Sequence, residues 1–169
     1  FRNEMPHLHF LLGDLEKQER ENVLFEVILC DDASDDGSGE LAARYCLDHP
    51  RYRYCRCEGE GKKKAVATGI KAASNDIIVL TDADCRVGPK WLSTIVSFYE
   101  SHNPGMVIGL VVTSGGHGFA GSLLDMEFLS LTGSGAAAAI NGMPLFCSGA
   151  NLSYRKSMFS RYKDPLFDK

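Results

Sequence analysis

Two aspartates, Asp82 and Asp84, directly follow the run 76–81, which is apolar at its centre. A short strand that is buried on both faces has this composition. Carboxylates that flank one residue at the end of such a strand can both approach a hard divalent cation, which prefers oxygen ligands. Such a cation can in turn bridge a diphosphate. A solvated acidic turn is the simpler explanation of an isolated Asp-x-Asp triplet, so the neighbouring segments must decide between the two.

A second acidic segment, 31–38, follows the apolar run 24–30 in the same way. Asp31 and Asp32 therefore stand at the end of another predicted strand. The segment also matches the first half of a calcium-binding EF-hand loop, but the twelfth loop position is Ala43, where a bidentate glutamate is required. A strand rather than a helix precedes the loop, so the sequence argues against an EF-hand.

A basic segment, 61–64, stands where the next helix is predicted to begin. Its ammonium groups and backbone amides can bind a phosphate at a helix N-terminus. The segment is not a P-loop, because Arg56 occupies the position of the first glycine and a lysine follows Lys62. A solvated basic helix face is the alternative to a phosphate site.

Near the carboxyl end of the chain, Gly149, Ala150 and Asn151 precede a helix that is predicted to start at 154–156. Glycine lets a substrate pass close to the backbone, and asparagine offers donors and an acceptor to ligand hydroxyls. A plain turn with Asn151 in a left-handed conformation explains the same residues without a ligand.

The elements that position these residues alternate along the chain. Apolar patterning predicts strands at 24–30, 52–57, 76–81 and 106–112, and helices at 39–47, 64–73, 89–101 and 123–131. The segment 133–139 contains only glycine, serine and alanine, whose side chains are too small to anchor a hydrophobic core. It is predicted to let another backbone segment or a ligand approach closely. The alternation indicates an α/β fold with a parallel or mixed sheet covered by helices. Ligands bind at the carboxyl ends of strands in such sheets, where both acidic segments lie.

The bulk composition is that of one soluble globular domain of 169 residues. No run of about 18 apolar residues predicts a transmembrane helix. The formal net charge of −4 and the scattered lysines and arginines argue against nucleic acid as a partner. Six cysteines show neither the spacing of a zinc site nor the density of a disulfide-bonded secreted domain, which favours a reducing, cytoplasmic environment.

Taken together and in this order, the segments resemble glycosyltransferase family 2, an inverting group with the GT-A fold. The resemblance covers nearly the whole chain and rests on the blocks 2–4, 25–38, 61–70, 81–84 and 147–156. It implies an α/β GT-A fold with a mixed, mostly parallel, Rossmann-like sheet flanked by helices. It also implies that 1–169 is a single donor-binding catalytic domain, truncated at both ends.

By this resemblance, the domain transfers a sugar from a nucleoside-diphosphate sugar, expected to be a UDP-sugar, to an acceptor hydroxyl with inversion. The implied donor-binding residues are Asn3, Glu4, Asp31, Asp32, Lys62 and Asp82. The implied ligands of Mg²⁺ or Mn²⁺ are Asp84, with the larger share, and Asp82. The implied acceptor side consists of Gly149, Ala150 and Asn151.

Two features depart from the family pattern. Ala67 stands where many members have asparagine, so one polar contact near the donor is expected to be lost or supplied differently. The family's general base lies in a pair of adjacent carboxylates some way after the block 147–156. Asp164 and Asp168 are the carboxylates that follow this block, and neither is in such a pair, so the base is expected beyond Lys169.

Two alternatives to a transferase stay open. A non-catalytic nucleotide-sugar-binding module would keep the donor residues and lack the base. A nucleotidyltransferase would show a glycine-rich basic loop after its first strand, and residues 2–9 contain no glycine.

The run 124–131 and the block 147–151 are similar to bacterial family members whose next segment is anchored in the membrane. This resemblance implies a glycan or lipid-linked acceptor and a role in polysaccharide or cell-envelope synthesis. It also implies that the full-length protein works at the inner face of the cell membrane. The sugar, the acceptor and processivity are left open by the sequence.

Overall fold

A computed structural model of the chain describes residues 1–19, 23–57, 61–112, 119–143 and 148–161. The elements within them are α1 (Leu8–Glu16), β1 (Val27–Asp31), α2 (Ser38–Asp48), β2 (Tyr52–Arg56), α3 (Lys62–Ala72), β3 (Ile77–Leu80), α4 (Trp91–His102), β4 (Met106–Ile108), α5 (Phe119–Ile140), β5 (Leu152–Arg155) and α6 (Lys156–Arg161). A short 3₁₀ turn, Gly149–Asn151, precedes β5. The alternation of helices and strands confirms the predicted α/β class.

The first half of the fold is a parallel strand pair. β1 and β2 run side by side, with Val27 opposite Tyr52 and Asp31 opposite Arg56. Two parallel neighbours need a crossover connection, which α2 supplies. Ala42 of α2 is fully buried in a core that it shares with leucines of α1 and with both strands. The carboxyl end of β1 is thereby held firmly against its neighbours.

The second half is an antiparallel three-stranded sheet in the order β3, β5, β4. In the middle strand, Tyr154 lies opposite Ile78 of β3, and Ser153 lies opposite Val107 of β4. Ile70 of α3 packs with Ile78 and Tyr154 in a second apolar cluster. α3 thus covers this sheet and positions its own first turn beside the end of β3.

The described strands form both parallel and antiparallel pairs, in two sheets, and parallel pairing does not predominate among them. One strand pair is parallel and two are antiparallel. The difference comes from β5, a strand that the sequence analysis does not predict, whereas the helix predicted to start at 154–156 is present as α6, which begins at Lys156. A segment of four residues is too short for its periodicity to distinguish strand from helix. β4 is also shorter than the predicted 106–112 and ends at Ile108.

α5 is a single helix of 22 residues, Phe119–Ile140. It contains the predicted helix 123–131 and continues through 133–139, where close backbone approach was the expectation. Alanine has the highest helix propensity, so the run 136–139 sustains the helix although the glycines before it each cost about 1 kcal/mol. A Cβ atom at Gly133 would meet nothing within 4 Å, so no described residue approaches there. None of the described helices combines the length and the apolar character needed to cross a bilayer.

α3 packs closely against β1 through Gly69. A Cβ atom at Gly69 would lie 2.7 Å from the Sγ atom of Cys30. Burial raises the pKa of the Cys30 thiol to about 12, and the nearby thiols of Cys57 and Cys55 act in the same direction. Cys30 is therefore a protonated packing group rather than a reactive thiolate.

Candidate functional site

Asp31, at the end of β1, is completely buried. Its carboxylate accepts hydrogen bonds from the Ser34 N–H at 2.9 Å and from the Tyr54 hydroxyl at 2.7 Å. Burial, the largest effect, would raise the pKa of Asp31, but the bonds from Ser34 and Tyr54 and the charge of Arg56 outweigh it and lower the pKa. Asp31 thus fixes the conformation of the acidic segment 31–38, which is called the acidic loop below. Its direct contact with a nucleotide stays a prediction, since both carboxylate oxygens already accept internal bonds.

The amino-terminal segment is tied to the same loop. The Asn3 N–H donates to Ser34 Oγ, and Asn3 Oδ1 accepts the Asp35 N–H, each at 3.0 Å. Asn3 has a φ of 55°, a left-handed conformation that asparagine adopts more readily than most residues. Glu4 Oε2 lies 3.0 Å from Nδ1 of His7. The structure brings Asn3 and Glu4 to the acidic loop, and their roles in donor binding stay predictions.

Asp32 connects the acidic loop to the start of α3. Its two carboxylate oxygens lie 2.8 and 3.0 Å from the amide nitrogen of Gly61, which donates to them. Lys62, the first residue of α3, then reaches across to the turn after β3, where its Nζ atom lies 2.6 Å from Oδ1 of Asp82. Three predicted donor residues therefore meet at the carboxyl ends of β1 and β3.

Asp82 and Asp84 present carboxylate oxygens just after β3. The Asp82 side chain is 36% exposed and Asp84 is exposed, so a ligand can reach both. Within the described ranges, no group of three or more His, Cys, Asp or Glu side chains could hold a metal ion. Mg²⁺ is usually bound by one or two carboxylates and completes its shell with phosphate oxygens and water. This pair therefore fits a cation that is shared with a diphosphate.

The turn that carries Asp84 is anchored by Arg86. Its guanidinium donates to the carboxylate of Asp14 on α1, from Nε at 2.6 Å and from Nη2 at 2.9 Å. The bond from Arg86 is the main reason that the pKa of Asp14 is lowered, and the Val87 N–H contributes as well. Sequence reasoning missed this pair. Its only signal is an aspartate among the buried leucines of α1.

Asn151 is held by internal hydrogen bonds. Its Oδ1 accepts the Trp91 Nε1–H at 3.0 Å, and its Nδ2 donates to the carbonyl oxygen of Leu110 at 3.0 Å. A Cβ atom at Gly109 would lie 2.2 Å from Asn151 Nδ2, so only glycine fits there. Asn151 thus joins α4 to the segment after β4. Its predicted contact with an acceptor hydroxyl stays a prediction.

Gly149 and Ala150 lie in the 3₁₀ turn beside the donor residues. The Ala150 N–H donates to Ser148 Oγ at 3.3 Å and fixes the start of the turn. A Cβ atom at Gly149 would lie 3.8 Å from Cε and 3.9 Å from Nζ of Lys62. The structure therefore brings the predicted acceptor side next to a predicted donor-side lysine.

Two further residues of the sequence analysis, Asp164 and Asp168, lie outside the described residues. Trp91, in contrast, is described and was predicted only as part of the apolar face of α4. It is the single tryptophan of the chain and begins that helix. A half-buried indole N–H needs an acceptor, so Trp91 signals a polar partner, but the sequence does not identify that partner as Asn151.

A cavity of about 810 Å³ opens at this edge of the protein. The charged side chains of its lining include Asp32, Lys62, Asp82 and Asp84. Its inner part extends between β1 and β3 along apolar side chains. Cavities of about 300–1,000 Å³ are typical of small-molecule sites. Three carboxylates and an ammonium group in the lining suit a ligand that combines a cation with phosphate.

Solved structures share this arrangement of elements. A mannosyltransferase from Pyrobaculum calidifontis, PcManGT in complex with GDP-Man and Mn²⁺, matches with a TM-score of 0.72 at 20% identity, over 96% of this chain and 44% of that one. S. aureus TarS 1-349 in complex with UDP matches with a TM-score of 0.69 at 18% identity, over 95% and 46% of the two chains. These likenesses show a GT-A-like α/β fold.

Residues 1–163 match the family described as Glycosyl transferase family 2, and the chain belongs to this family. An N-acetylglucosaminyltransferase of Sinorhizobium fredii (strain NBRC 101917 / NGR234) is 28% identical over 179 residues, which cover 98% of this chain and 42% of that protein. A dolichol-phosphate mannosyltransferase of Pyrococcus furiosus is 26% identical over 114 residues, which cover 68% of this chain and 32% of that protein. The chain thus spans less than half the length of these relatives.

Proposed function

We propose that this domain binds a nucleoside-diphosphate sugar at the carboxyl ends of β1 and β3 and transfers the sugar to an acceptor hydroxyl with inversion. The observation that carries the proposal is the chain of contacts from Asp32 through Gly61 and Lys62 to Asp82, because Asp32, Lys62 and Asp82 line the cavity. Family membership supports the reaction class. UDP is the nucleotide we propose, since a solved protein of this fold is in complex with UDP.

In the proposed complex, the nucleoside lies over the acidic loop, with Asp32 and Asn3 as its polar contacts and Asp31 beneath them. The ammonium group of Lys62 and the first backbone amides of α3 face the diphosphate, because a helix N-terminus favours anions. Asp82 and Asp84 hold Mg²⁺ or Mn²⁺. When bound, such a cation supplies the positive charge that stabilises a departing diphosphate.

The acceptor enters from the side of the 3₁₀ turn. Gly149 leaves room there because it has no side chain, and a Cβ atom at this position would lie 3.9 Å from Nζ of Lys62. Asn151 keeps this turn fixed to α4, so the acceptor meets a rigid surface. We place the general base after this turn in sequence, where Asp164 and Asp168 are the candidates within these residues.

We further propose a glycan or lipid-linked acceptor and a role in polysaccharide or cell-envelope synthesis at the inner face of a bacterial membrane. The support is resemblance, since relatives named N-acetylglucosaminyltransferase and dolichol-phosphate mannosyltransferase match most of this chain. A non-catalytic nucleotide-sugar-binding module is the second candidate, because the described residues include the donor side and no assigned base. Family membership disfavours a nucleotidyltransferase.

Calorimetric titration with UDP and with GDP, each with and without Mn²⁺, tests the donor proposal. We expect UDP to bind more tightly with Mn²⁺, and Asp84→Asn to remove that gain. Asp48→Asn is the matched control, because Asp48 is an exposed carboxylate at the far end of α2. Equal UDP affinity with and without Mn²⁺ in the folded protein would contradict the metal role.

Product analysis separates an enzyme from a binding module. A panel of nucleoside-diphosphate sugars is incubated with the protein and with glycan and lipid-linked acceptors, and release of nucleoside diphosphate is followed. A transferase releases it faster when the right acceptor is present. Tight, metal-dependent binding with no acceptor-stimulated release would favour the binding module.

A further inference from the structure

The segment 85–90 joins the turn that carries Asp84 to Trp91, the first residue of α4. It belongs to neither a helix nor a strand, and most of its residues are exposed. A segment of this kind makes few hydrogen bonds of its own, so contacts with the rest of the protein must fix its conformation. The place of the Asp84 carboxylate therefore depends on what holds this segment.

Gln18, which follows α1, holds the segment from inside the protein and is only 3% exposed. Its Nε2 donates to the carbonyl oxygen of Gly88 at 2.8 Å and to that of Asp14 at 3.2 Å. Its Oε1 accepts the Leu92 N–H at 3.0 Å. A side-chain amide has two donor hydrogens and one acceptor oxygen, and all of them are used here. Exchange of the nitrogen and the oxygen would set two donors against each other at Leu92, so these bonds also fix the orientation of the amide.

The bond to Leu92 caps α4. Leu92 is the second residue of this helix, so its N–H has no partner within the helix. Lys90, at the position before the helix, makes no side-chain capping bond. A cap normally comes from that position, whereas this one comes from a residue 74 positions away in the sequence. Gln18 thus fixes both the start of α4 and the middle of the segment 85–90.

Other contacts lay the same segment along α1. Ala83, Val87 and Trp91 are spaced four residues apart, and all three pack against the buried cluster that contains the α1 leucines. The Glu19 N–H donates to the carbonyl oxygen of Pro89 at 2.8 Å. These contacts hold the segment against the core, and the directional bonds of Gln18 set its position along α1.

The far end of the segment reaches the 3₁₀ turn. Trp91 donates its indole N–H to Oδ1 of Asn151 at 3.0 Å. The backbone carbonyl oxygen of Asn151 accepts the Gly109 N–H at 2.8 Å. A shift of the segment 85–90 would therefore move Asp84 at one end and the support of Asn151 at the other. The proposed function assigns the first residue to the metal and places the second in the turn on the acceptor side.

We infer that Gln18 is a positioning residue of the proposed transfer reaction. Through Gly88 and Leu92 it fixes the segment 85–90, and this segment sets the place of the Asp84 carboxylate relative to Asn151. Gln18 acts through these residues and is not itself part of the cavity lining. The inference rests on the proposed function, because it gives Gln18 a part in the same site.

Gln18→Met tests the inference, because it keeps the length of the side chain and removes all three bonds. Residues that orient metal ligands typically change metal affinity 10–100-fold when they are mutated. Gln18 lies one step further out, so we expect the Mn²⁺-dependent affinity for UDP to fall roughly tenfold in calorimetry. Trp91 is the single tryptophan of the chain, so its fluorescence reports directly on the end of the segment. Its emission should shift to longer wavelength as the start of α4 loosens.

Arg44→Gly is the matched control for a loss of stability alone. Arg44 is exposed in the middle of α2, so glycine there destabilises the fold through helix propensity. Urea denaturation of both variants gives their losses of stability. The control should keep the parent's UDP affinity and Trp91 emission. Gln18→Glu is a milder second variant, which retains the acceptor for Leu92 and loses the donor to Gly88, and it should show an intermediate loss of affinity.

Unchanged UDP affinity in both Gln18 variants would overturn the metal side of the inference. Unchanged Trp91 emission in both would overturn its acceptor side. An equal loss of affinity in Arg44→Gly would also overturn the inference, because destabilisation alone would then explain the effect. A parent protein that binds UDP equally with and without Mn²⁺ would overturn the proposed function and this inference together. A parent that depends on Mn²⁺, with Gln18 variants that match it, would overturn this inference alone.

Discussion

The ammonium nitrogen of Lys62 lies 2.6 Å from Oδ1 of Asp82 and joins the first turn of α3 to the turn after β3. The two side chains are 67% and 36% exposed, so this is a solvent-screened ion pair. Such pairs contribute about 0–1 kcal/mol, which a divalent cation can readily outcompete. Lys62 thus holds Asp82 in place, and in the proposed complex a cation on this carboxylate would free the ammonium group for phosphate.

Lys62→Met is therefore expected to change two affinities in opposite directions. Mn²⁺ alone should bind up to about fivefold more tightly, because it no longer competes with the ammonium group. UDP in saturating Mn²⁺ should bind about tenfold more weakly, because a charged hydrogen bond to phosphate is lost. Both are measured by calorimetry. Lys63→Met, at an exposed neighbour, is the control, and a Lys62→Met protein that binds Mn²⁺ more weakly would refute the competition.

Asp31→Asn and Asp32→Asn are expected to separate stability from binding. Asp31 is fully buried and accepts bonds from Ser34 and Tyr54, so its substitution should lower the free energy of unfolding by about 2 kcal/mol. Asp32→Asn keeps one acceptor for the Gly61 N–H and should mainly weaken UDP binding. Urea denaturation and UDP titration are run on both variants. Equal losses of stability in the two would contradict this division.

The Trp91 and Asn151 side chains should be energetically coupled. Trp91→Phe removes the donor to Asn151 Oδ1, and Asn151→Ala removes the acceptor. A double-mutant cycle on the free energy of unfolding should give a coupling of about 0.5–1.5 kcal/mol, the usual net contribution of one hydrogen bond. Additivity within about 0.3 kcal/mol would show that this bond does not stabilise the turn.

Stability should fall in acid partly through Asp14. Its folded-state pKa is lowered by Arg86, so the pair stabilises the fold above the unfolded pKa of about 3.9 and loses this contribution as pH falls through the lower folded value. The loss in free energy of unfolding caused by Asp14→Asn should therefore be largest at about pH 6 and should shrink below about pH 4. Urea midpoints measured across this range test the sign. A difference that does not vary with pH would exclude the ion pair as its cause.

The sequence predicts the parts of the site that depend on local pattern. Apolar runs that end in carboxylates at Asp31 and Asp82 indicate strand ends, and the rule for α/β sheets brings these ends together. The bonds of Asn151 could not be predicted, because they depend on the distant Trp91 and Leu110. β5 was missed for a similar reason, since its strand character comes from two neighbours rather than from its own four residues.

Gly69 and Cys30 pack against each other between α3 and β1. The order in which these two residues are substituted therefore affects whether the intermediate protein is well packed. A methyl group at position 69 would lie 2.7 Å from the Cys30 sulfur, so the first step Gly69→Ala requires the sulfur or the helix to shift. Cys30→Ala as the first step leaves only a small void, which a later Gly69→Ala fills. Descendants of this sequence are expected to acquire the two changes in that order, and an alanine at 69 beside a cysteine at 30 should be rare among them.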